Sequence, residues 1–172
     1  MKAPQFKHRN LSTAIKAPQK EHLNVNVNNS IIMIILTPLP CVFYIISYDI
    51  WFYITHRAFH TRLLYSYHKK HHEKRYPTWN DTFYADNLEN IVMGLGIFLG
   101  IPLIGFHIFD FCIASLYTCL RGYMRHDIKY IDVVGSHHLQ HHLTPNYNFS
   151  SKWIDKLFNT QYKKEKIHLI DV

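Results

Sequence analysis

His68-Lys69-Lys70-His71-His72 and His138-Leu139-Gln140-His141-His142 share one spacing, H-x2-H-H, and a third cluster, His56-Arg57-Ala58-Phe59-His60, stands before them as H-x3-H. In a helix, residues three or four apart lie on one face. Each cluster therefore presents two or three imidazoles in one direction, and helices crossing at these patches bring eight rings around one small volume. With 14 His in 172 residues, composition alone gives H-x-x-H-H about 0.1 times, so its double occurrence is a strong signal for a motif. A histidine-rich solvated surface is the competing reading, and it requires no such order. Neutral imidazole suits Fe, Zn, Cu and Ni. Eight ligands exceed what one tetrahedral or octahedral ion uses, so the economical count is two metals.

Outside the clusters the chain alternates between polar and apolar segments. The mean hydropathy of −0.14 averages over this split. Residues 30–55 carry one charge, Asp49, and residues 90–120 carry only Asp110. Both runs are apolar on all faces and read as membrane-embedded. A soluble core helix is the alternative. Residues 31–54 suit one crossing better than two; a segment that enters and returns on one face, bent at Pro38 and Pro40, is the alternative. Residues 91–120 would form a helix of about 45 Å, too long for a hydrocarbon core of about 30 Å. The second and third His clusters must also meet. The segment is therefore predicted to fold back as a helical hairpin, turning near 102–106 at Pro102 and Gly105, with His107 at the turn and away from the metals.

Residues 1–29 are polar, aperiodic and Lys/Asn-rich, and are expected to be a mobile arm. The arm shows no pattern of a standard signal peptide. The domain is expected over 30–162, followed by a basic tail at 163–172. Glu73–Asp86 reads as a loop, residues 136–144 as helical, and Trp153–Phe158 as a short amphipathic helix. The net charge of +7 points to headgroups rather than nucleic acid. No nucleic-acid motif occurs, and the excess flanks the apolar runs at Lys69, Lys70, Lys74, Arg75, Lys163, Lys164 and Lys166. Cys41, Cys112 and Cys119 are odd in number and lack CxxC spacing, which agrees with a reducing, cytosol-facing site. His72-Glu73 begins like H-E-x-x-H, but position 76 is Tyr, so the zinc protease motif fails.

The three clusters in this order, separated by apolar segments, resemble the fatty acid hydroxylase superfamily of sterol desaturases, sterol methyl oxidases and fatty acid hydroxylases. The likeness runs from about Tyr48 to Thr160. His68-Lys69-Lys70-His71-His72-Glu73 followed by Tyr84-Ala85-Asp86-Asn87-Leu88-Glu89 is similar to the family's H-K-x-H-H…Y-A-H-P-x-E stretch. Asn146-Tyr147-Asn148-Phe149 and Trp153-Ile154-Asp155-Lys156-Leu157-Phe158 resemble the ending of the sterol desaturase branch, and His126-Asp127 resembles its H-D pair.

The resemblance implies an all-α fold: membrane-embedded helices with a cytosolic helical cap that holds a histidine-rich dimetal site, in the endoplasmic reticulum. It implies two iron ions held by His56, His60, His68, His71, His72, His126, His138, His141 and His142. Zinc is possible on purification, since it binds such sites more tightly than Fe(II). It further implies a membrane lipid as substrate, a sterol or fatty acyl chain, oxidised with O2 and with electrons from a cytochrome b5-type carrier. Lys69, Lys70, Lys74 and Arg75 suit either an acidic carrier or headgroups.

Relatives with a His or Asn four residues before His126 differ from this chain, which has Gly122, so one coordination position is open or holds water. Relatives also carry an additional membrane hairpin before the first cluster, for which only residues 31–54 are available here. His137 is expected beside the ligands rather than among them. Asp49, Asp127 and Asp155 are candidates either to hold a ligand imidazole through its other nitrogen or to serve as ordinary polar residues at helix ends. His8, His22 and His168 are expected to be solvated. Desaturation and hydroxylation share these ligands, so both stay open, as does a non-catalytic metal-binding descendant of the family.

Overall fold

The computed structural model describes residues 39–163, within one compact unit that begins at Pro38. The first 38 residues, with His8 and His22, and residues 164–172, with His168, lie outside the described residues. So do the expected arm and the start of the first apolar run. The described residues are all helix, turn and loop, with no strand. The helices are α1 (Leu39–Phe59), α2 (Tyr65–His68), α3 (Asn87–Leu95), α4 (Ile101–Ile104), α5 (Ile108–Arg125), α6 (Ile131–Val134), α7 (His137–Leu143) and α8 (Lys152–Leu157). Short 3-10 turns at His71–Glu73, Trp79–Asp81, Gly96–Phe98 and Ile128–Tyr130 link them. One of these, Trp79–Asp81, lies in the segment read as loop; Thr78 and Asp81 close it with a capping box.

Helix α1 has its polarity inverted relative to a soluble helix. Ile46, Ile50 and Ile54, four apart, form an exposed stripe, while Ser47, Asp49, Thr55 and His56 are buried. The same holds farther along: Ile91, Leu95 and Leu103 are exposed on α3 and α4, and Phe109, Ile113 and Leu116 on α5. The apolar stripes that would face a soluble core here face outward. Asn87–Ile104 is the one described segment long and apolar enough to cross a membrane by length and composition.

Helices α3 and α4 run antiparallel to α1. Tyr44, near the start of α1, lies beside Gly100; Trp51, farther on, donates through Nε1 to Val92 O at 2.8 Å; Thr55 lies 3.3 Å from Met93 Sδ. Two glycines permit this close approach. A Cβ on Gly96 would stand 2.5 Å from Trp51 Cδ1, and one on Gly100 2.5 Å from Tyr44 Cδ1. The chain reverses at Gly105–His107, where Gly105 has φ +82°, a conformation glycine adopts freely. Tyr44 Oη ties the turn, donating to Gly105 O at 2.7 Å and accepting from His107 N at 3.1 Å.

Helix α5 then returns along α1, with Phe111 edge-on to Tyr44 and Arg121 paired with Asp49. The expected hairpin is present, but Pro102 does not make the break. It sits in the first turn of α4, where a missing N–H costs nothing, and the reversal falls on Gly105. His107 is at the turn as expected, exposed, its Nε2 beside Ile104 O at 3.1 Å.

Candidate metal centre

Three segments that approach one another at the end of this bundle carry the histidines. His56 and His60 come from the last turn of α1 and its exit. His68, His71 and His72 come from α2 and the 3-10 turn after it. His138, His141 and His142 come from α7. His126 immediately follows α5, in register to meet them. The nine rings form two groups. His56, His60, His68, His72 and His141 make one, and His71, His126, His138 and His142 the other; within each, the candidate ligand atoms all lie within 4.8 Å of one another. All nine expected site residues are thus brought together among the described residues.

The spacing fits shared ions. His68 Nε2 lies 3.1 Å from His56 Nε2, 3.0 Å from His60 Nε2 and 3.0 Å from His72 Nε2, and His60 Nε2 lies 3.1 Å from His141 Nε2. In the second group His126 Nε2 is 3.3 Å from His71 Nε2 and 3.0 Å from His138 Nε2. Two nitrogens each about 2.05 Å from one ion stand about 2.9 Å apart at right angles and about 3.3 Å apart in a tetrahedron. Ring-to-ring hydrogen bonds do not account for the pattern, because the single Nε2 of His68 faces three others.

Four rings also have their tautomers fixed from behind. His68 Nδ1 donates to Glu89 Oε1 at 2.8 Å, His126 Nδ1 to Gly122 O at 2.8 Å, His141 Nδ1 to Tyr147 O at 2.6 Å, and His56 Nδ1 to Phe149 O. A neutral ring with its proton on Nδ1 keeps its lone pair on Nε2, aimed at the centre. Both ring nitrogens of His142 are buried with no hydrogen-bond partner, so one of them is free to face an ion; His71, whose Nε2 faces His126, has its outer Nδ1 buried without a partner.

Electrostatics agree. Burial first, and then neighbouring rings, lowers His60 to about 3, His72 to about 4 and His68 and His142 to about 2. Burial also brings His126 down to about 4 and places His71, His138 and His141 well below their ordinary 6.5. The rings are neutral at pH 7, the form that binds metal. An all-nitrogen donor set of this kind fits iron or zinc and is not the oxygen-rich set of calcium or magnesium.

The expected carboxylates play other parts. Asp49 holds no imidazole. It is buried against the guanidinium of Arg121, with Ser151 Oγ at 2.6 Å and Trp153 Nε1 at 3.3 Å, because seven residues along α1 place it too far from the rings of His56 and His60. Asp127 caps the Ile128–Tyr130 turn through Lys129 N at 2.9 Å. Asp155 is fully buried and accepts from His137 Nε2 at 2.9 Å, Phe149 N at 3.0 Å, Ser150 N at 2.9 Å and Thr160 Oγ1 at 2.7 Å. His137 accordingly stands outside both groups.

The acceptors that aim the rings are mostly backbone carbonyls, which no side-chain pattern reveals. Glu89 is a side chain, and its place in the Tyr84-Ala85…Glu89 stretch was the available signal.

A cavity of about 140 Å³ opens beside the centre. His56, His71, His126 and His138 line its inner end, and Tyr48, Phe52, Met93 and Cys119 line the side between α1, α3 and α5. It therefore reaches both histidine groups from among the apolar helices. On another side, an open groove lined by Arg62, Tyr65 and Lys69 reaches His60. Near it, Lys70 and Lys74 both pack over the Tyr84 ring, at 5.2 and 5.5 Å from its centroid.

The family profile described as fatty acid hydroxylase matches residues 41–160. The chain belongs to the fatty acid hydroxylase family. Within it, the chain is similar to methylsterol monooxygenase 1 of Rattus norvegicus, 32% identical over 65% of this chain and 43% of the relative. It is also similar to methylsterol monooxygenase 1 of Danio rerio, 30% identical over 70% of this chain and 46% of the relative. Methylsterol monooxygenase erg25B of Aspergillus fumigatus is 28% identical over 73% of this chain and 48% of its own length. The chain thus spans about half the length of the curated relatives it matches. These relatives place it on the sterol side of the family. No solved structure matches.

Proposed function

We propose that this chain is an integral-membrane lipid oxygenase whose nine histidines hold two iron ions, five rings on one and four on the other. The carrying observation is the cavity that joins both histidine groups to the apolar helices. The same geometry with exposed isoleucine and phenylalanine stripes around it supports a substrate that arrives from the bilayer. The names of the relatives favour a sterol and favour oxygen insertion over desaturation: R–H + O2 + 2 electrons + 2 protons → R–OH + H2O. Bound iron would supply the activation of O2 that an unactivated C–H bond requires.

The chain's own residues do the rest. Gly122, Tyr147, Phe149 and Glu89 hold four rings with their lone pairs inward. Tyr48, Phe52 and Met93 give the approach an apolar wall, with Asn90, Arg121 and Arg125 on its polar side. At about 140 Å³ the cavity is smaller than the ~300–1,000 Å³ of sites that engulf a ligand. It admits the reacting end of a lipid while the remainder stays between the helices.

Electrons would come from a cytochrome b5-type carrier on the cytosolic face of the endoplasmic reticulum. The exposed basic groups Arg62, Lys69, Lys70 and Lys74 suit an acidic partner, and the groove at His60 brings such a partner closest to the rings. The catalytic domain is taken as 30–162, with a polar arm before it and a basic tail after it.

Lipid profiling of cells expressing the chain tests this reading. An oxygenated sterol or acyl product is expected with the natural sequence and is expected to vanish with His71→Ala at equal membrane expression. Identical lipid profiles in the two lines would overturn it.

A further inference from the structure

Glu89 belongs to no cluster and to neither histidine group, yet it is a carboxylate buried to 4% exposure in the first turn of α3. Burying a carboxylate is costly unless its hydrogen bonds justify it. Its side chain makes one such bond, Oε1 to His68 Nδ1 at 2.8 Å; Oε2 is buried with no partner. Glu89 also lines the cavity beside the centre, but His68 is its one hydrogen-bond partner among the described residues. His68 in turn is fully buried and is the hub of its group, its Nε2 facing those of His56, His60 and His72 at 3.0 to 3.1 Å.

We infer that Glu89 is the side chain that positions the hub of the five-histidine group, whose His56 and His141 rest on backbone carbonyls: it holds the proton of His68 on Nδ1, fixes the ring plane, and so makes metal retention at that group, and not at the four-histidine group, depend on α3. The selectivity follows from the contacts. The second group has its own anchor, the Gly122 carbonyl behind His126, and none of its four rings bonds to Glu89. It also ties metal retention to the hairpin, because α3 is the helix that begins the Asn87–Ile104 segment.

The inference rests on the two-metal reading of the site. Its test is a stepwise competition of the metal-loaded full chain in detergent against a chelator, with metal counted at each step, for the natural sequence, Glu89→Ala and Glu89→Gln. Loss of an outer-shell partner weakens metal binding roughly 10–100-fold. Glu89→Ala is expected to weaken one of the two sites by about that factor and leave the other unchanged. Glu89→Gln keeps the shape and an acceptor oxygen, so it is expected to recover part of the loss.

Nitrogen NMR of the His68 ring gives a readout that a merely structural role would not move. The Nδ1–H form is expected to dominate in the natural chain and to give way to a tautomer mixture in Glu89→Ala. Equal affinities at both sites in all three proteins, or equal weakening of both sites in Glu89→Gln, would overturn the inference. A natural chain that binds no metal at all would instead overturn the reading on which it rests.

Discussion

Asn148 has φ 60°, a left-handed conformation that Asn tolerates better than most residues. It is fully buried, and its side chain donates to His137 O and Gln140 Oε1, each at 3.1 Å, and accepts from Tyr162 N at 2.8 Å. The residues on either side, Tyr147 and Phe149, supply the carbonyls behind His141 and His56. A single strained residue thus aims two backbone acceptors at two rings of the same group. Asp155 fixes the far side of this bend through Phe149 N and Ser150 N.

Asp155→Ala would leave those buried N–H groups unpaired, at about 1–3 kcal/mol each. Its thermal unfolding in detergent is expected to show a loss of ~3 kcal/mol or more, together with weakened metal binding. Unchanged stability would show that Asp155 is not the anchor. The motif Asn146-Tyr147-Asn148-Phe149 was visible in the sequence, but its use was not. A carbonyl has no residue type, and only the backbone path shows that it faces an imidazole.

Close approach decides what happens at the scale of the helices. Gly96 and Gly100 let α3 and α4 lie flat on Trp51 and Tyr44. Gly96→Leu would force a side chain into the Trp51 ring, and overpacking of this kind costs about 1–3 kcal/mol. The expected result is a lower melting temperature and loss of the Trp51 Nε1 bond to Val92 O, seen as a shift of the indole N–H resonance. Gly94→Ala is the control, since nothing lies within 4 Å of a Cβ there, and it is expected to be neutral. A Gly96→Leu protein as stable as the natural one would contradict the packing.

The hairpin itself was legible from length: a run of that size does not fit a bilayer once, and the second and third histidine clusters had to meet. Where it turned was less so, because Pro102 and Gly105 are both breakers on paper. Proline is harmless in a first turn, and glycine alone takes the positive φ. Helices α7 and α8 were legible from the spacing of His138, His141 and His142 and from the Trp153–Phe158 pattern.

Among the described residues nine imidazoles lie together inside while apolar stripes face outward, and the buried rings set the response to pH. In the unfolded chain the histidines take a proton near 6.5; in the folded, metal-free chain burial keeps His60, His72 and His126 neutral down to about 3 to 4. Between those values the unfolded state binds more protons, so stability is fully present above about 6.5 and falls as pH drops through the window towards 4. Melting of the metal-free protein in detergent is expected to change little from pH 8 to 7 and to fall steadily below 6.5. A melting temperature that rises on acidification would contradict the neutral cluster.

Eight of the nine site positions were legible because the metal chemistry demands residue type and helical spacing together, both of which a sequence records; His126 stands outside the three clusters, and only its likeness to the H-D pair pointed to it. The division of the nine into five and four was not legible, since His71 and His72 are adjacent in the chain and separate between the two groups only once the 3-10 turn at His71–Glu73 is formed.

The central claim is that these nine rings are a centre for two metal ions. Metal analysis of the gently purified full chain, alongside His68→Ala and His142→Ala, tests it most directly. Two ions per natural chain and a loss in each variant are expected, since His68 and His142 stand in different groups. A natural chain that retains no metal, or a metal content untouched by either substitution, would contradict it.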